Sequence, residues 1–245
     1  MVILTIIILL LIGFIANFIG AMIGGGGLIS IPALIFLGLP PQIAIATDRL
    51  SSIGQSTSIF KYHNSKKINY KIIIPLSIIT IIGTLIGASL LFNFDKSLLI
   101  KIIGIVIILI LPIVLINKSG LDNKKTNIAQ KIIGYILFFF VVIYGSFIGA
   151  GTGILATFVF IFFFGLTYLE SNGNFSIIWL IISVISSIIF AFQGIIKYDY
   201  AIILLIGSLI GGYTGAHIAV KKGDNFIKLL FIILVVISSL KLIFF

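Results

Sequence analysis

Arg49, with Asp48 beside it, is the first place in this chain where side chains could do chemistry. It is the single arginine of the 245-residue sequence and stands in largely apolar surroundings. Ionisable residues at membrane depth are costly and usually functional. A guanidinium there presents a planar fork of donors suited to sulfonate or carboxylate oxygens, which makes Arg49 a candidate fixed charge for an anion. Asp48 would hold it in place or accept a coupling proton. The competing reading is an interfacial ion pair that snorkels to water. From Asp48 onward, Ser51, Ser52, Gln55 and Ser58 recur on one face at helical spacing. Asn172, Ser176, Ser183 and Ser187 make a similar stripe further on. Such stripes line a hydrated path, or they supply interhelical hydrogen bonds of about 0.6 kcal/mol each. Glu170, just ahead of the second stripe, is the other candidate for proton coupling, with loop exposure as the plain alternative.

The backbone offers chemistry of its own. Gly20-Ala-Met-Ile-Gly24-Gly25-Gly26-Gly27 interrupts one apolar run, and Gly145-Ser-Phe-Ile-Gly149-Ala-Gly151-Thr152-Gly153 interrupts another. Gly20, Gly24 and Gly26 align with Gly145, Gly149 and Gly151 at one offset of 125 residues. A break in a bilayer-spanning segment frees N–H and C=O groups that lipid cannot satisfy, so protein, water or a ligand must. Paired breaks at matching positions of two halves are the best sequence pointer to a transporter's binding site. Helices starting at Leu28 and Ile154 would aim N–H groups and positive dipole ends inward, where both can cradle an anion. Glycines also let helices approach closely, which suits Gly20 and Gly24, but Gly25 to Gly27 are too many for packing alone. Glycine readily allows positive φ and close approach to the backbone, so Gly26 and Gly151 are expected to refuse valine.

Positioning these groups takes ten apolar segments, roughly 1–23, 28–39, 43–60, 71–92, 97–116, 130–149, 152–166, 175–192, 200–220 and 226–244. They fall into two sets of five. The second member of each set, about 12 to 15 residues, reaches only ~18–22 Å against the ~30 Å hydrocarbon core. Each is therefore a half-helix or re-entrant segment starting at a glycine break. A second pair of clusters, Gly83/Gly87/Ala88 and Gly211/Gly215/Ala216, matches at an offset of 128, and Asn69-Tyr70 opens one segment as Asp199-Tyr200 opens its counterpart. The expected fold is an all-α polytopic membrane protein of two inverted repeats, 1–117 and 130–245, joined by a cytoplasmic linker at 118–129. If the short segments cross, the loops around 61–71, 117–131 and 221–228 gather eleven lysines on one side against four opposite, as positive-inside bias requires. Met1 to Ile19 lacks the basic start of a secretory signal and reads as a retained first transmembrane helix.

Composition narrows the function. Hydrophobic residues make up 60% of the chain and charged residues 9%, and mean hydropathy is +1.35, which a soluble domain of this size does not tolerate. The net charge of +10 comes from lysines between apolar segments, so it reads as membrane topology and argues against a nucleic-acid partner. With no cysteine, two scattered histidines and six scattered acids, neither a metal site nor a cofactor is expected. No P-loop pattern points to ATP, and no Ser–His spacing points to an enzyme. His63 and His217 read as interfacial residents, Lys197 and Asp199 as a loop pair, and Trp179 as an isolated aromatic.

The run Gly20-xxx-Gly24-Gly25-Gly26-Gly27-Leu28-Ile29-xx-Pro32, followed by Ala44-Ile45-Ala46-Thr47, resembles the sulfite exporter TauE/SafE transporters. The hydroxyl-rich helix after Thr47, the Asn69-Tyr70 start, Gly83-xxx-Gly87-Ala88 and a degenerate second copy strengthen the likeness, which covers essentially the whole chain. It implies export or uptake of small anions such as sulfite or sulfonates. Asp48 departs from the neutral polar residue expected after Thr47, so the anion and the coupling ion stay open. The sequence thus points to a proton-coupled secondary carrier of a small anion in a prokaryotic plasma membrane. An anion channel is the alternative, and homo-oligomerisation is left open. Gly24–Gly27, Thr47, Arg49, Ser52, Gln55, Gly149, Gly151, Thr152, Gly153, Asn172 and Ser176 are the expected substrate-binding residues.

Overall fold

A computed structural model of the chain describes residues 2–91, 125–230 and 232–233. The expected segment at 97–116, most of the 118–129 linker and most of the segment at 226–244 lie outside the described residues. Every regular element described is helical: α1 (Val2–Ile23), α2 (Gly27–Phe36), α3 (Pro41–Ser51), a 3₁₀ helix (Ser52–Thr57), α4 (Ser58–Asn64), α5 (Tyr70–Leu90), α6 (Ile128–Phe147), α7 (Thr152–Phe164), α8 (Tyr168–Phe192) and α9 (Tyr198–Lys222). Of these, α1, α5, α6, α8 and α9 are long and apolar enough to cross a membrane. The 10 residues of α2 and 13 of α7 span only ~15 and ~20 Å, so both are half-helices. Rows of exposed apolar residues run along the long helices: Ile74, Ile78 and Ile82 on α5, Ile132, Ile136 and Phe140 on α6, Ile202, Ile206 and Ile210 on α9. Their spacing of four puts each row on one helix face, and hydrocarbon is the solvent that welcomes it.

The second pair of glycine clusters serves packing. Gly207, Gly211 and Gly215 bring α9 against the backbone of α1 at Leu10, Phe14 and Phe18, while Gly13 meets Leu204. Gly83 and Gly87 bring α5 against Val142 and Ile143 of α6. A Cβ at Gly87 or Gly211 would strike main-chain atoms of the partner helix, so only the smallest residue permits these crossings. Each pairing crosses between halves: α9 of the second lies on α1 of the first, and α5 of the first lies on α6 of the second.

Several boundaries differ from the sequence expectation. The helix expected at 43–60 runs through 41–64 as α3, a 3₁₀ turn and α4, so its polar stripe is not on one uniform helix. The helix expected from 175 begins at Tyr168, with Thr167 and Glu170 forming a capping box. Its first turns are polar because they are buried against the first half, not because they form a loop: Ser171, Asn172 and Asn174 are all buried. Apolar periodicity does not register a helix turn whose partners are polar. A second capping box, Asn127 with Gln130, starts α6 inside the region expected as linker.

Candidate functional site

The two glycine breaks meet. A Cβ built on Gly27 would lie 3.3 Å from both the Ala150 Cα and the Gly149 carbonyl oxygen, and one on Gly24 would run into the backbone of Gly153. The helices α2 and α7 start at these breaks, so their N-terminal ends converge. Gly24 (φ +72°), Gly149 (φ +85°) and Gly151 (φ +77°) are left-handed, a conformation glycine adopts without steric cost. Gly26 is not: its φ is −55°. The expectation that Gly26 supplies a positive φ is therefore corrected. It is glycine because the Ala16 carbonyl and Gly20 leave no room for a side chain.

The carbonyls that the breaks free are satisfied by side chains. Arg49 is fully buried, and its Nη2 donates to the Gly145 carbonyl at 2.7 Å. The Asn172 amide nitrogen, on α8, donates to the Met22 carbonyl at the end of α1. Each half's post-break helix thus reaches over to the other half's break. Two tyrosine hydroxyls finish the work, Tyr62 donating to the Ala21 carbonyl at 2.6 Å and Tyr144 to the Ala150 carbonyl at 2.7 Å. In break two, Thr152 closes on the Gly149 carbonyl through its hydroxyl at 2.9 Å. These bonds are what membrane burial demands of a broken helix.

Arg49 is fully buried, and no ion pair within 4.0 Å joins it to Asp48. It lies in the third turn of α3, ~12 Å from the helix start at 1.5 Å per residue. Consecutive helical residues point in different directions, and the ion pair found among the described residues is the expected exposed one, Lys197 with Asp199 at 3.0 Å. The guanidinium lies instead against Gly149 and under the Trp179 ring, its Cζ 4.6 Å from the ring centroid. Its Nε and Nη1 have no hydrogen-bond partner among the described residues. A buried guanidinium with two spare donors thus lies beside two converging helix N-termini.

Asp48 is buried, with the Ser52 hydroxyl donating to its carboxylate at 3.5 Å, while the Ser30 hydroxyl of α2 donates to the Gly26 carbonyl at 3.2 Å. The two polar stripes meet, with the Ser58 hydroxyl donating to Ser176 at 3.0 Å. Gln55 reaches break one, its Oε1 lying against Gly20. Other expected residues sit elsewhere. Thr47 accepts from the Lys197 backbone N–H at 3.1 Å and so ties down the start of α9. The Glu170 carboxylate accepts from the Thr167 N–H at 3.0 Å in the capping box, beside the Lys66–Lys71 loop. It is part of a helix start. His63 is at an exposed end, hydrogen-bonded with the Tyr70 hydroxyl at 2.7 Å. Sequence reading missed Tyr62, Tyr144, Ser30 and Trp179. For Tyr144 a signal existed, since it directly precedes break two; for Trp179 there was none.

The chain matches the sulfite exporter TauE/SafE family over residues 9–242. It is 27% identical to a probable membrane transporter protein of Haemophilus influenzae, covering 97% of this chain and 94% of that one. It is 26% identical to the probable membrane transporter protein YfcA of Escherichia coli K12 over 97% and 89% of the two chains. It is 28% identical to the probable membrane transporter protein YunE of Bacillus subtilis over 97% of each. No solved structure matches. The paired glycine breaks, the apolar helix set and a match over nearly all of its length make this chain a multi-pass membrane protein that belongs to the sulfite exporter TauE/SafE family.

Proposed function

We propose that this protein is a secondary carrier of a small anion, a sulfite, sulfonate or related organic anion, coupled to protons. The observation that carries the reading is Arg49: fully buried, hydrogen-bonded to one break, flush against the other side of that break at Gly149, and still holding two unpartnered donors. An anion there would be held by the guanidinium and by the N-terminal ends of α2 and α7. Gly24 to Gly27, Gly149, Gly151, Thr152 and Gly153 supply the backbone of that cradle. Ser52, Gln55, Asn172 and Ser176 supply polar walls. Asp48 is the proton acceptor, because the Ser52 hydroxyl beside it accommodates either protonation state: it donates to a carboxylate and accepts from a carboxylic acid.

The shared description of the relatives as probable membrane transporters supports the class, and the family's name supports the anion. Carrier is favoured over channel by the contact between breaks. Gly24 against Gly153 and Gly27 against Ala150 pack backbone to backbone, so an anion passes only if the halves part. Two halves rocking about a central site is how inverted-repeat carriers work. The test is uptake into proteoliposomes of sulfite, thiosulfate, sulfonates, sulfate and small carboxylates, with and without a pH gradient. Accumulation driven by the gradient, together with counter-transport of labelled anion, is the expected result. Flux with neither exchange nor pH-driven accumulation would make the protein a channel.

A further inference from the structure

We infer that Trp179 is a ligand-binding residue of the anion site, its indole N–H donating alongside Arg49 to an oxyanion head of the sulfonate or carboxylate type. The inference rests on reading Arg49 as the counter-charge. Trp179 is buried in the middle of α8, held by Phe175 one turn earlier with ring centroids 5.6 Å apart. One face of the indole takes the guanidinium, so Arg49 is flattened between the ring and Gly149. A cation over the ring face leaves the edge of the indole, where its N–H points, free for another partner. One edge donor, Nη2, goes to Gly145. The remaining ones, Arg49 Nε and Nη1 and Trp179 Nε1, are buried without an acceptor among the described residues.

If the ring only filled space and stacked on the cation, phenylalanine would do so without stranding a donor. Neither guanidinium nor indole can accept a hydrogen bond. The set therefore selects a partner that is all acceptor, with more than one oxygen to share among separated donors. A deprotonated sulfonate or carboxylate head fits this. A chloride ion, a single centre with no directional oxygens, matches it poorly.

Trp179 is the one tryptophan of the chain, so emission of the purified full-length protein excited selectively at tryptophan, not at its tyrosines, reports this site alone. Titration with methanesulfonate and with acetate should give a saturable change in emission, absent with chloride and absent in Arg49→Gln. Trp179→Phe, which keeps an aromatic face over the guanidinium and removes only the N–H, should raise the KM for methanesulfonate uptake roughly 10- to 100-fold, the range for losing a hydrogen bond to a charged group. Unchanged emission at methanesulfonate concentrations that saturate uptake would overturn the assignment. So would an unchanged KM in Trp179→Phe while Arg49→Gln is impaired; in that case the anion site stands and Trp179 is not part of it. If neither substitution moves the KM, the Arg49 reading itself falls.

Discussion

The two breaks share a sequence pattern and differ in how they are closed. Break one is sealed by neutral groups: the Asn172 amide on Met22 and the Tyr62 hydroxyl on Ala21. Break two is sealed by a charge, Arg49 on Gly145, with the Tyr144 hydroxyl on Ala150. The backbones differ to match. At break one the left-handed residue is Gly24, and Gly26 is right-handed; at break two Gly149 and Gly151 are both left-handed. In break one the Gly24 N–H still reaches the Gly20 carbonyl at 2.8 Å, prolonging α1. At the matching carbonyl, Gly145, the guanidinium is the partner instead. Two breaks of similar sequence are thus closed differently, one by neutral groups and the other by a charge.

The sharpest way to break this comparison is at Gly149. A side chain there is strained by its φ and would lie on the guanidinium, with Cζ and Nη1 each 2.8 Å from the new Cβ. Left-handed geometry alone costs a branched residue about 1–2 kcal/mol. Gly149→Val is therefore expected to cut anion uptake by well over tenfold at normal expression, measured in proteoliposomes. Normal flux would show that Arg49 need not sit where it does.

Next comes the pair of polar closures. Arg49→Gln should weaken apparent affinity for every transported anion, and Arg49→Lys should recover part of it, since lysine keeps the charge and loses the fork. Asn172→Leu should affect KM less than Arg49→Gln, removing a polar wall but no charge, and should also cost thermal stability, about 1–3 kcal/mol, because it strands the Met22 carbonyl in the interior. If Asn172→Leu raised KM as much as Arg49→Gln, the distinction between a neutral and a charged closure would be wrong.

Smaller effects sharpen the picture. Tyr62→Phe and Tyr144→Phe each remove one interhelical or loop-closing hydrogen bond and are expected to cost about 0.6 kcal/mol in a thermal unfolding assay. The mildest case is Gly151. A Cβ there meets only the Leu28 side chain at 3.9 Å, so its requirement is conformational and not spatial. Asparagine tolerates the left-handed region, so Gly151→Asn should keep near-normal uptake where Gly151→Val does not. Gly26→Ala should fail for the opposite reason, its φ being ordinary and its surroundings filled.

Much of this was legible in the chain. Apolar runs and their lengths determine that α1, α5, α6, α8 and α9 are membrane helices and that α2 and α7 are half-helices, because burial in hydrocarbon is a property of composition and length. The constant offset between glycine breaks determines that they are counterparts. A lone arginine in apolar sequence determines that something must satisfy it. Tertiary structure decided the rest, because each remaining question concerns groups far apart in the chain. Arg49's partner is 96 residues away and Asn172's is 150 residues away, so no local spacing reveals either. That the Thr47 hydroxyl accepts from the Lys197 N–H, 150 residues on, and that the Glu170 carboxylate caps α8 are likewise tertiary or local geometry that residue type alone does not show. Trp179 carried no pattern at all. Its meaning comes from the guanidinium that α3 lays against its ring, a contact created only when the two halves close on each other.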